Sequence, residues 1–372
     1  MKSAVEETRK KDWINIVFFT LTPIIGVVGT ALYTWHVGFH WWMAALFLVL
    51  YAFAGVSITA GYHRFFSHKS YECSPIVQAF FAFFGAFAAQ HSILWWSSGH
   101  RIHHKEVDTD WDPYSISRGF WWAHILWLFY QNPGSGFTNV PDLERNPIVA
   151  WQHRWHRQIM ILGGFGIPTA IGWMFGDPMA GLLWGGFTRL VVLHQTTFFV
   201  NSLAHTLGVQ TFDREVSARD NWLVALVTFG EGYHSFHHRF PADFRNGIRW
   251  YQWDPSKWLI RSMRWAGLAS NLRSITPPMV EQAKLQAALL TVETRIAAAS
   301  PTLNEEVQRR IASARESLEH SFALWRQHTE ERAAGLSHTW RQTRRSAKLR
   351  LKQARREWRG AIRMLSQSPD LA

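Results

Sequence analysis

Two stretches of this sequence carry the same pattern of imidazoles. His100-Arg101-Ile102-His103-His104 and His234-Ser235-Phe236-His237-His238 are both H-x-x-H-H, and His63-Arg64-Phe65-Phe66-Ser67-His68 adds an H-x4-H pair. On a helix, positions i, i+3 and i+4 are neighbours, so each H-x-x-H-H run presents its three rings on one face. Neutral imidazole is the commonest protein ligand for a transition metal. Eight histidines in three tight groups exceed what a single tetrahedral site takes. The chemistry these residue types and spacings point to is a metal centre with more than one ion.

The elements that must position these groups are apolar. A run from Ile14 to about Tyr33 follows Arg9, Lys10 and Lys11 and is long enough to cross a hydrocarbon core of roughly 30 Å as a helix. Pro23 lies inside it as a candidate kink. Trp41 to about Tyr62 is a second span, followed by Arg64 and Lys69. Basic residues at both ends of this hairpin put both ends on the cytoplasmic side, and His63 and His68 with them. Pro75 to Trp96 is apolar as well, but a full crossing would set His100 on the opposite side from His63. The run is therefore expected to re-enter or to lie on the protein. Gln90 and His91 would sit in a pocket wall, with His91 as a hydrogen-bonded core histidine.

Lys105, Glu106, Asp108, Asp110 and Asp112 follow the second group. Ligating histidines commonly donate their second N–H to a carboxylate, so these acids are candidate outer partners. Phe120 to Tyr130 reads as interfacial, and residues 132–147 as a loop. Ile159 to Phe175 and Met179 to about Val200 are a third and a fourth span. Arg189 and His194 inside the fourth should face protein or a cavity. That helix ends in Asn201-Ser202-Leu203-Ala204-His205, which places a ninth histidine, on the same face as Asn201, level with the other groups.

Composition agrees with an all-α integral membrane protein. Hydrophobic residues make up 47% and aromatics 15% of the 372 residues, with 22 Trp and 26 Phe. Many of these aromatics flank apolar runs, as membrane interfaces favour. The mean hydropathy of −0.13 is low because the last quarter is charged. The formal charge of +12 suits an anionic lipid surface better than nucleic acid, since no nucleic-acid motif accompanies it. The single cysteine, Cys73, excludes an intrachain disulfide and a cysteine-built cluster. The expected organisation is a membrane domain over residues 1–275 and a basic, amphipathic helical or partly disordered tail over 276–372. Pro277-Pro278 opens the tail, Pro301 breaks it, and Arg344 to Arg359 carries most of its charge. The tail would dock on anionic lipid or on an acidic redox partner.

If the four spans bundle, His63, His68, His100, His103, His104, His205, His234, His237 and His238 converge on a cap just above the membrane. Nine nitrogens suit two ions, and imidazole-rich sites with open positions suit iron that handles O2. An apolar slot below such a centre suggests oxidation of an unactivated C–H bond in a long, greasy substrate.

In these motifs, HRFFSH, HRIHH, NSLAH and HSFHH, in this order over roughly residues 10–265, the chain resembles the membrane-bound fatty acyl-CoA desaturases of the stearoyl-CoA Δ9 type. The resemblance implies two irons as cofactor, with Asn201 holding a water near one of them and no catalytic side chain beyond the metal centre. It implies that Gln90, Trp96 and Thr197 line a bent acyl tunnel. It further implies O2 and a long-chain acyl-CoA as substrates, insertion of a cis double bond, and two electrons from a donor. No H-P-G-G motif of a fused cytochrome b5 is present, so the donor is expected to be a separate protein such as a ferredoxin. Animal members carry an acid immediately before the second box where this chain has Gly99, a departure that bears on the head group. The expected setting is a bacterial inner membrane, with termini and histidines cytoplasmic. Two other readings use the same residues: a di-iron hydroxylase or alkane monooxygenase, and a metal-binding or lipid-anchoring scaffold without turnover.

Overall fold

The computed structural model describes residues 10–131, 136–298 and 305–333, and residues 349–350, 352–354, 356–357 and 360. Arg9, positions 132–135 of the expected loop, the break at Pro301, and Arg344, Arg345, Lys348, Arg355 and Arg359 lie outside them. The fold is all-α apart from a two-residue ladder, in which β1 (Glu72–Cys73) pairs antiparallel with β2 (Ala269–Ser270). The chain divides into two compact units, one of residues 1–210 and 215–274, the other of residues 211–214 and 275–372.

In the first unit, apolar runs become long helices. Helix α1 covers Trp13–Val37 and α2 covers Trp41–Ser67. Asp12 caps α1 by accepting from the Asn15 amide, and Gly38, at φ 100, makes the turn between the two helices that a side chain would strain. Pro23 does not end α1. The helix widens over Ile24–Gly29 instead, which accommodates the missing N–H. Among the described residues, α1 and α2 are the helices long and apolar enough to cross a membrane.

The apolar run 75–96 is not one helix. Helix α3 (Pro75–Ala86) has 12 residues, about 18 Å, well short of a hydrocarbon core. The chain then turns through 87–92, with Ala89 and His91 at positive φ, and re-enters a helix at α4 (Ile93–Lys105), capped by Ser92. Close contact seats α3 against α2: a Cβ on Gly85 would lie 2.3 Å from the Tyr62 ring.

A helix ending inside a bundle leaves carbonyls without donors. Two further helices, α5 (147–174) and α6 (178–201), are continuous over those ranges, and α6 meets this need. Its Arg189 is fully buried and donates to the Phe87, Gly164 (2.9 Å) and Gly185 (3.1 Å) carbonyls. His194 donates from Nε2 to the Ala88 carbonyl at 2.7 Å. The two ionisable residues in this apolar segment therefore hold the break after α3, facing protein. Helix α5 begins at Pro147, twelve residues before the expected Ile159, because Arg154, His156 and Arg157 lower hydropathy without breaking a helix.

The third histidine group lies on α7 (His234–Arg239), and α8 (Pro255–Trp265) closes the first unit. In the second unit, α9 (Pro277–Ala298) and α10 (Glu305–Ala333) pack on each other. Ile311, Ala314, Leu318, Phe322 and Trp325 form the buried stripe of α10 at helical spacing.

Replacing Arg189 with Met would leave the Phe87 carbonyl, at the break after α3, without this donor, at a cost of about 1–3 kcal/mol for a buried acceptor. We expect a clear fall in the thermal midpoint of the detergent-solubilised protein, with Arg189→Lys losing less. Equal midpoints for wild type and Arg189→Met would contradict this role.

Candidate metal centre

The nine histidines form two groups, and within each the ring nitrogens that face one another all lie within 4.8 Å. The first holds His63, His68, His100, His104 and His237; the second holds His103, His205, His234 and His238. In the first, Nε2–Nε2 separations are 2.8 Å for His68–His100, 2.9 Å for His63–His237 and 2.9 Å for His104–His237. In the second they are 3.0 Å for His205–His234, 3.0 Å for His234–His238 and 3.3 Å for His103–His238. Nitrogens about 2.0–2.1 Å from one ion and at tetrahedral or right angles stand roughly 2.9–3.4 Å apart. The spacing is that of two coordination shells.

Each H-x-x-H-H group serves both shells. The i and i+4 residues point the same way, while the i+3 residue is rotated from them. In α4 the pair His100 and His104 enters the five-imidazole shell and His103 the other. In α7 the arrangement is reversed: His234 and His238 enter the four-imidazole shell and His237 crosses to the five. The expected single face of three rings is thus split between the two histidine clusters.

Burial, and after it the neighbouring imidazoles, pushes His68, His100, His104, His234, His237 and His238 well below the ordinary imidazole pKa. Burial does the same to His205, with His103 and Arg219 adding to it. These rings are therefore neutral near pH 7, the form that donates a lone pair to a metal.

The second nitrogens have partners on other elements. His103 Nδ1 is 2.9 Å from Asp112 Oδ2. His205 Nδ1 is 2.6 Å from Ser217 Oγ, which donates to Asp108 Oδ1 at 2.6 Å. His100 Nδ1 is 3.4 Å from the Tyr114 hydroxyl. His63 Nδ1 lies 2.7 Å from Glu231 Oε2, with the oxygen off the N–H axis. Of the acids after the second group, Asp112 reaches a ring directly and Asp108 through Ser217. Glu106 and Asp110 instead pair with Lys105 and Arg118. Sequence reasoning missed Glu231, Ser217 and Tyr114. Glu231 stands three residues before His234, a visible signal, yet its imidazole partner is His63.

Arg101, inside the second group, staples α4 to the end of α2. It donates to the Phe66 and Ser67 carbonyls, each at 3.0 Å, and grips Asp142 with two nitrogens at 2.7 and 2.9 Å. The two carbonyl bonds hold the first two histidine groups in register, and the bidentate pair with Asp142 fixes the guanidinium that makes them.

A cavity of about 430 Å³ runs up to both shells. Its wall includes His63 and His100 from one shell, His103 and His234 from the other, and half-buried Asn201. Phe18, Phe19, Ile58, Leu193 and Phe229 make much of the remainder apolar. Gln90, Trp96 and Thr197 also lie in the wall and are joined by hydrogen bonds. Trp96 Nε1 donates to Gln90 Oε1 at 3.2 Å and Gln90 Nε2 to Thr197 Oγ1 at 3.1 Å. His91 is not a core histidine: it is half-buried at φ 68, stacked on Trp95 in the cavity wall. At Gly99, also in the wall, an added Cβ would meet nothing within 4 Å.

Replacing His100 or His103 with Ala should deplete different ions although the two residues are three apart. Each variant should retain roughly one of two metals by elemental analysis and the double variant neither; loss of the same single ion in all three would contradict the split.

Residues 39–264 match the family model described as fatty acid desaturase. The chain is 42% identical over 278 residues to acyl-CoA desaturase 1 of Saccharomyces cerevisiae, an alignment covering 74% of this chain and 54% of the relative. It is 40% identical over 284 residues to a probable acyl-CoA desaturase of Schizosaccharomyces pombe, covering 75% and 58%. It is 35% identical over 271 residues to sn-2 palmitoyl-lipid 9-desaturase of a Nostoc species, covering 71% and 91%. The chain thus spans little more than half the length of the two yeast relatives.

Proposed function

Because the chain belongs to the fatty acid desaturase family, we propose that it is a membrane enzyme that inserts a cis double bond, at the Δ9 position, into a long-chain saturated fatty acyl-CoA. The observation that carries this reading is that two imidazole shells face one apolar cavity. The names of the two yeast relatives support acyl-CoA as the substrate class, and that of the Nostoc relative supports the 9 position.

The donor set fits iron. Nine imidazole nitrogens, divided five and four, leave open positions on each ion. When bound, a pair of irons supplies the power to oxidise an unactivated C–H bond at the expense of O2. O2 accepts four electrons and becomes two waters; two electrons come with two hydrogens from the acyl chain and two from a separate donor protein, with two protons from solvent.

The chain's own residues do the rest. The apolar wall excludes water and holds the acyl chain extended up to the shells. The Trp96–Gln90–Thr197 bridge crosses the wall where 87–92 turns, and sets a bend that presents one C–C bond to the metals. Asp112, Ser217, Tyr114 and Glu231 hold the rings from behind, and Asn201, in the cavity wall, orients a water near one of the two shells. We read α1, α2, α5 and α6 as four spans. Lys10 and Lys11 before α1, with Arg64 and Lys69 at the far end of α2, set both shells on the cytoplasmic side of a bacterial inner membrane.

The test is the fatty-acid profile of a host lacking its own Δ9 desaturase, with double bonds mapped. We expect Δ9 cis products that require O2. Hydroxy acids without alkenes would establish a hydroxylase, and no O2-dependent product would establish a scaffold. Thr197→Val cuts the bridge without changing side-chain shape, and should spread the double bond to neighbouring positions; an unchanged position would remove the bridge from the account.

A further inference from the structure

The two shells are alike in ligand type but not in what stands behind the ligands. Glu231 reaches His63, yet its charge is already engaged. Its Oε1 accepts from Arg64 Nε at 3.2 Å and Nη2 at 3.0 Å, and its Oε2 accepts from Asn246 Nδ2 at 2.7 Å. Arg64 is itself fully buried, and it also donates to Asp254 and to the Phe244 carbonyl. Burial raises the Glu231 pKa, but His63 and Arg64 outweigh burial and hold its carboxyl below the usual range. This carboxylate is a member of a buried ion network, and the imidazole lies off its best hydrogen-bond direction.

Asp112 is placed differently. It is 1% exposed, its Oδ2 accepts from His103 Nδ1, and its other bonds come from the backbone amides of Asp108 (3.3 Å) and Tyr114 (3.1 Å). Neutral amide dipoles orient the carboxylate without cancelling its charge. A carboxylate behind an imidazole raises the basicity of the ligating nitrogen, and that effect scales with the charge left available. The shell with fewer imidazoles is the one backed by the carboxylate with more charge to give, and it gains Asp108 through Ser217 as well.

We propose that Asp112, rather than Glu231, is the carboxylate that governs metal affinity, and that it does so for the four-imidazole shell alone. Asp112 is thus a positioning residue acting through His103. This rests on the two-metal reading above.

The experiment is chelator competition on purified, iron-loaded, full-length protein, following retained iron by elemental analysis. Asp112→Asn keeps the shape and the hydrogen-bond acceptor but removes the charge. One iron should then be released at a 10–100-fold lower chelator concentration than in wild type, the range known for such outer partners, while the other is unmoved. Glu231→Gln should shift release of either iron by less than about 3-fold, well under that range. The affected shell is identified by pairing Asp112→Asn with a ligand deletion. With His238→Ala, in the same shell, the high-affinity iron remains; with His68→Ala, in the other shell, only the weakened iron is left. A thermal midpoint near that of wild type shows that Asp112→Asn is folded; if it is not, Asp112→Glu, which keeps the charge, must restore wild-type release. Equal shifts for Asp112→Asn and Glu231→Gln, or weakening of both irons by Asp112→Asn, overturn the proposal. Wild-type protein that loads fewer than two irons would instead overturn the two-metal reading itself.

Discussion

The structure depends on keeping nine imidazoles together and largely out of water. Neutral rings repel little, but they cannot all satisfy one another, because each needs a donor or acceptor on both nitrogens. Helix geometry resolves half of that problem. The i,i+4 pair of one H-x-x-H-H helix meets the i+3 ring of the other, and the reverse holds on the opposite side. The two helices interlock as near-mirror contributions to two shells. The outward nitrogens are resolved by groups from other elements: Asp112 and Tyr114 after α4, Ser217 on the loop after α6, Glu231 before α7.

That convergence needs α2 and α4 to end on the same side of the bundle, which in turn needs the apolar run between them not to cross. A short helix buried against α2 would normally be a poor solution, since its carbonyl end has no water to turn to. Arg189 and His194 supply the donors from within α6. Ionisable side chains deep in an apolar bundle are thus a condition for the placement of the metal ligands some distance away. Arg101 then locks the returning helix to the end of α2 through the Phe66 and Ser67 carbonyls. Each of these contacts joins residues remote in sequence, so the shells form only once the first unit has packed.

Much of this was legible in the residues. Spacing identified the histidine groups, and the requirement that they meet was enough to expect that 75–96 does not span. The same spacing concealed the division of each group between two clusters, because face periodicity cannot say that a second cluster lies on the flank. The start of α5 was hidden because a helix can leave the apolar layer without changing its backbone. Partners behind the rings were legible only where they follow in sequence: Asp112 stands nine residues after His103, whereas Glu231 meets an imidazole 168 positions before it. His91 lies in the pocket wall, as its sequence context suggests, but it is half-buried and stacked on Trp95 at a left-handed backbone position rather than held as a core histidine.

Iron K-edge X-ray absorption on the reconstituted, full-length protein tests the central claim most directly. Two nitrogen-only shells predict a first coordination sphere dominated by imidazole at about 2.0–2.2 Å, with the multiple-scattering signature of four to five rings per iron. A first sphere dominated by oxygen or sulfur, or one with only one or two imidazoles per iron, would contradict the account.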